Sequence, residues 1–91
     1  MAARIDVEQM NSGEYRVRVL EGASVTSHIV TLRAADHQRL TGGKVEPEQL
    51  LKRSFEFLLE HEPKESILAR FDLPVIARYF PEYEREIRRR I

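Results

Sequence analysis

The chemistry open to this chain begins with three histidines, His28, His37 and His61. An imidazole can ligate a metal or move a proton near neutral pH. Here the three fall in different predicted elements, none forms a close pair, and the absence of Cys removes thiolate ligands. They read as scattered structural or surface histidines. Asp36-His37 is an adjacent acid–imidazole pair, the arrangement in which a carboxylate orients a general base. At the head of a predicted helix it reads instead as an N-capping Asp followed by an exposed His. Ser54 lies within an apolar helical face, whereas a nucleophilic serine needs a sharp exposed turn and a base within reach. Its hydroxyl is expected to bond a carbonyl one turn back. Thr41-Gly42-Gly43-Lys44 has the look of a phosphate loop. It lacks the leading glycine, and Val45 stands where Ser or Thr would follow, so a helix stop with an exposed lysine is expected. No residue qualifies as catalytic, cofactor-binding or metal-ligating, and the expectation is a protein that is not an enzyme and carries no cofactor.

Phosphate contacts are the next chemistry to consider. The basic candidates are Arg70, Arg78, Arg85, Arg88, Arg89 and Arg90. Residues 68–76 could form two short helices around a tight turn, as in a helix-turn-helix. Against that, the turn has no glycine and Pro74 sits at the start of the would-be recognition helix. Glu82, Glu84 and Glu86 alternate with the terminal arginines, and pairs such as Arg85–Glu82 and Arg88–Glu84 would satisfy them locally. Three consecutive arginines splay around a helix at about 100° steps, so they cannot all face one ligand. Four Phe, three Tyr and no Trp supply a core rather than a base-stacking platform. Fifteen basic and fifteen acidic residues cancel, which gives no general attraction to nucleic acid or anionic membrane.

A chain of 91 residues suits one domain, 1–91, and its 42% hydrophobic content suits a folded one. A domain of this size has a small core, so helices it cannot cover would seek a partner. No apolar stretch approaches the roughly 20 residues that span a bilayer. The first residues lack the apolar region of a signal peptide. With no cysteine for disulfides, a cytoplasmic location is expected.

The elements follow from periodicity. Residues 4–10, 14–20 and 25–33 alternate in hydropathy or are β-branched, and Asn11-Ser12-Gly13 and Glu21-Gly22-Ala23-Ser24 separate them. Connections this short imply an antiparallel meander, residues 1–33. In the third strand Val30 and Leu32 should face the core. Ile29 points the other way and should be partly covered by something else, the first strand's neighbour or another subunit. The helical half, 34–91, begins with a short helix at 34–40 stopped by Gly42-Gly43. Pro47 opens the longest helix, which ends near His61-Glu62 because Pro63 disfavours helical geometry just before it. Pro63 should start a short helix burying Ile67, Leu68 and Phe71. Asp72 should cap another, 73–80, and Tyr83, Ile87 and Ile91 form one stripe of a terminal helix. The fold class is thus α+β: a three-stranded antiparallel β-meander, one long helix and several short C-terminal helices. Val17, Val19, Val30, Leu51, Phe55 and Leu58 should be buried together.

The runs Ser54-Phe55-Glu56-Phe57-Leu58-Leu59-Glu60-His61-Glu62-Pro63, Ser66-Ile67-Leu68, Phe71-Asp72-Leu73 and Tyr79-Phe80-Pro81-Glu82-Tyr83 resemble small bacterial proteins of unknown function. That resemblance implies no activity, cofactor or site residue. A meander followed by a helix is also similar in outline to HicB-type antitoxins, although the segment after the long helix departs from their DNA-binding tail. Apolar residues around more than one stripe of the long helix, and on both faces of the third strand, exceed what so short a chain hides easily. The expectation is a non-enzymatic protein-interaction module with a protein partner, itself a homodimer. The alternative is a small nucleic-acid-binding or antitoxin-like regulator using the arginine-rich C-terminal helices.

Overall fold

Alternation in residues 14–21 places Tyr15, Val17 and Val19 on one face of a strand, and that face organises the molecule. The computed structural model describes residues 3–91. Strands β1 (Arg4–Asn11), β2 (Glu14–Glu21) and β3 (Ser24–Thr31) form the antiparallel meander, with Val7 opposite Val17 and Val17 opposite His28. The first turn depends on Gly13, whose φ of 73° is open to few other residues. A Cβ there would lie 3.2 Å from the Leu32 carbonyl oxygen. The inner face presents Ile5, Tyr15, Val17, Val19, Val30 and Leu32, all buried. Helix α1 (Ala34–Thr41) stops at Gly42, which adopts the left-handed conformation and donates its N–H to Gln38. Helix α2 (Pro47–His61) then packs Leu50, Leu51, Phe55 and Leu58 into the same core. All six residues expected to be buried together are buried.

The chain departs from expectation after α2. Residues 63–71 are not a short helix. A 3-10 turn, Lys64–Ser66, leads into a fourth strand, β4 (Arg70–Asp72), which runs parallel to β3. The sheet order is β1-β2-β3-β4. The pairings are Ile29 with Arg70, Val30 with Phe71 and Thr31 with Asp72, so part of Ile29's cover comes from β4. The segment extends because Phe71 then reaches the core beside Phe55, their ring centroids 6.0 Å apart, while Arg70 and Asp72 point out. Ile67 is buried as expected, but Leu68 is 47% exposed, at a groove that it lines together with Phe71.

Two further corrections concern caps. Asp72 makes no side-chain cap; its Oδ1 accepts a hydrogen bond from the Thr31 hydroxyl at 2.7 Å, tying β4 to β3. Asp36 sits inside the first turn of α1 rather than at its cap, and its buried carboxylate accepts from Arg33 Nε at 3.1 Å and Arg39 Nη2 at 3.3 Å. The expected helix 73–80 is divided into a 3-10 turn, Leu73–Val75, and α3 (Ile76–Tyr79). Helix α4 (Tyr83–Arg90) closes the structure, with Tyr83 and Ile87 wholly buried.

Candidate interaction surface

The histidines are placed for structure. His28 is buried; its Nδ1 lies 2.8 Å from the Leu68 carbonyl, which only accepts, so Nδ1 carries the proton. His37 is half-buried rather than exposed and by the same reasoning donates from Nε2 to the Val45 carbonyl at 2.6 Å. His61 stacks on Phe80 with ring centroids 4.8 Å apart. Among the described residues no cluster of three His, Cys, Asp or Glu could hold a metal ion. Ser54 donates to the Leu50 carbonyl at 2.8 Å, as expected, and its oxygen lies 2.6 Å from the Tyr83 hydroxyl. The Ser54 proton is committed to the carbonyl, so Tyr83 is the donor. Burial pushes the Tyr83 hydroxyl well above the usual phenol range, which keeps that proton in place.

The six arginines do not form one surface. Arg70 is on β4, within 3.4 Å of Glu14 on β2, a pair that reaches over β3, and Arg78 is exposed on α3. On α4, Arg88 reaches Glu84 at 3.8 Å and Arg89 reaches Glu86 at 3.1 Å. Arg85 is exposed, and the expected pair with Glu82 is not among the ion pairs of the described residues. Glu84 is also held by Arg39 at 2.6 Å. Arg90 turns back toward α2, where it grips both Glu60 oxygens at 2.7 and 2.8 Å and lies 5.5 Å from the Phe57 ring centroid. That hydrogen-bonded guanidinium holds the Glu60 carboxyl below its ordinary pKa. Residues 68–72 contain a strand, so the two-helix motif considered for residues 68–76 does not form. Replacing Arg88, Arg89 and Arg90 together by Ala is expected to leave the fold intact. Any affinity for mixed-sequence duplex DNA, and its slope against salt, should also stay unchanged. A fall of about three units in the log–log salt slope would instead establish three lost phosphate contacts.

The surface with unsatisfied potential lies elsewhere. An apolar groove of about 290 Å³ runs between the C-terminal end of α2, β4 and α3, lined by Leu58, Phe71, Val75, Ile76 and Phe80 among others. Leu68 and Tyr79, which also line it, are 47% and 66% exposed. Beside it runs an open sheet edge, since β4 has a neighbour on one side alone. The Ile29 N–H donates to the Ala69 carbonyl at 2.8 Å, which fixes the phase of the parallel ladder. The peptide groups of Phe71 therefore face β3, and those of Arg70 and Asp72 face outward. Sequence reasoning missed this surface because it read 67–71 with helical spacing. The one local signal is the polar–apolar–polar alternation of Arg70-Phe71-Asp72, which at three residues is too short to tell a strand from a helix.

No protein-family model, no curated protein and no solved structure matches this chain.

Proposed function

We propose that this chain is a non-enzymatic protein-interaction module working in the cytoplasm. Its working surface is the β4 edge together with the groove beside it, and its ligand is an extended protein segment. The observation that carries the reading is the juxtaposition: outward-facing peptide groups at Arg70 and Asp72 lie next to an apolar trough with Leu68 and Tyr79 exposed at it. An added strand finds affinity in main-chain hydrogen bonds and specificity in pockets for alternate side chains. Exposed edges are ordinarily blunted or covered, and contiguous apolar surface on a small domain marks a contact site. No helix among the described residues is long and apolar enough to cross a membrane. The nucleic-acid reading has less support, because Arg88, Arg89 and Arg90 each lie against a glutamate.

Selection from a random peptide library tests the proposal. Wild-type protein should enrich extended peptides with apolar residues at alternate positions. Leu68→Asp and Tyr79→Asp variants should lose that enrichment. Peptides that bind all three proteins equally would reject the surface, as would the absence of enrichment by a monomeric protein.

A further inference from the structure

We infer that the segment taken by the β4 edge is the β4 edge of a second copy, giving a two-fold dimer with one continuous eight-stranded sheet. This rests on the proposed interaction surface and names its occupant. The ladder phase is the first support. In an antiparallel pair about a two-fold axis at Phe71, Arg70 of one copy falls opposite Asp72 of the other, and Asp72 opposite Arg70. Those are the residues whose peptide groups face outward, so in each pair the Asp72 N–H can donate to the Arg70 carbonyl, and the Arg70 N–H can share the Asp72 carbonyl, which already opens the 3-10 turn Leu73–Val75. Phe71, whose peptide groups are spent on β3, falls at the axis, where antiparallel pairing makes no main-chain bond. A register shifted by one residue would oppose outward groups with inward ones and lose these bonds.

Charge is the second support, and it is independent of the ladder. The Arg70 and Asp72 side chains leave the same face of the sheet, away from the buried Phe71. Within its own chain Arg70 makes a long, exposed pair with Glu14 at 3.4 Å; the two-fold adds a second carboxylate beside each guanidinium, so the strand Arg-Phe-Asp is complementary to itself when antiparallel. Asp72 uses Oδ1 to hold Thr31, which leaves Oδ2 for the partner. Pro74 follows two residues later and has no N–H, so pairing stops there and the register cannot slide toward α3. Leu68 and Tyr79 line the groove beside the strand.

The test is a charge swap read by sedimentation velocity at high micromolar protein. Wild type should be a dimer. Arg70→Asp sets aspartate against aspartate at both pairs, and Asp72→Arg sets arginine against arginine. Each alone should weaken the dimer by roughly tenfold or more. An equimolar mixture of the two variants restores opposite charges at both pairs and should dimerise like wild type, an outcome that misfolded variants would not give. Arg70→Pro offers a second route, because it removes an outward N–H and none of the bonds to β3. It should dissociate the dimer with the circular dichroism spectrum unchanged. A monomeric wild type overturns the inference, as does a dimer indifferent to both charge reversals and to Arg70→Pro. If wild type is monomeric yet selects peptides lost on Leu68→Asp, the occupant is wrong and the surface stands; if it does neither, both fall.

Discussion

Truncating Phe55 to Ala is expected to lower the unfolding free energy by about 3–5 kcal/mol, the range for removing a buried aromatic ring. The ring is fully buried and lies where three elements meet. It belongs to α2, its centroid is 5.4 Å from that of His28 on β3, and it is 6.0 Å from that of Phe71 on β4. The cavity left behind would border backbone already held in the sheet, which has little freedom to collapse inward. A domain of this size is stable by roughly 5–10 kcal/mol, so the loss takes a large share. Urea denaturation followed by circular dichroism measures it. A change under about 1 kcal/mol would mean that the packing of α2 on the sheet is not as described.

Tyr83 carries the second large effect, and two substitutions separate its roles. Tyr83→Ala removes a wholly buried ring beside Phe57, 5.5 Å between centroids, and should cost about 3–5 kcal/mol. Tyr83→Phe keeps the ring and removes the hydrogen bond to Ser54. Ser54 still donates to the Leu50 carbonyl, so no buried donor is orphaned, and the cost should be only about 1 kcal/mol. The same denaturation experiment gives both values. Equal losses would place the stabilisation in the hydroxyl rather than the ring. An unaffected Tyr83→Ala variant would mean that α4 is not docked on α2.

The meander was legible because period-2 alternation in residues 14–20 ran for seven residues between two glycine-containing turns. Helix α2 was legible because its apolar residues recur over fifteen positions between Pro47 and Pro63. Strand β4 was not. Three residues are too few for a period to stand out, and its partner strand lies some forty residues earlier in the chain. Leu68 was misplaced for the same reason, since the helical spacing that would bury it with Ile67 and Phe71 does not hold in a segment that is not a helix. The arginines were visible as a cluster, but Arg90's attachment to Glu60 joins two helices thirty positions apart, which local charge patterning cannot show. Asp36 was recognised as a helix-terminal acid, but its burial depends on where Arg33 and Arg39 fold over it.

The late, parallel strand also orders the folding of the molecule in time. Both hairpins of the meander close loops of two residues, so they can form as soon as they are synthesised. β4 cannot dock until α1 and α2 have been accommodated, and its docking closes a loop of about forty residues, an entropic cost met by few contacts. Until then β3 shows its full eight-residue margin, a longer and more promiscuous template than the three-residue strand that later covers part of it. Completing the fold thus covers the Ile29–Thr31 part of that margin with a short strand that carries a charge code and a proline stop.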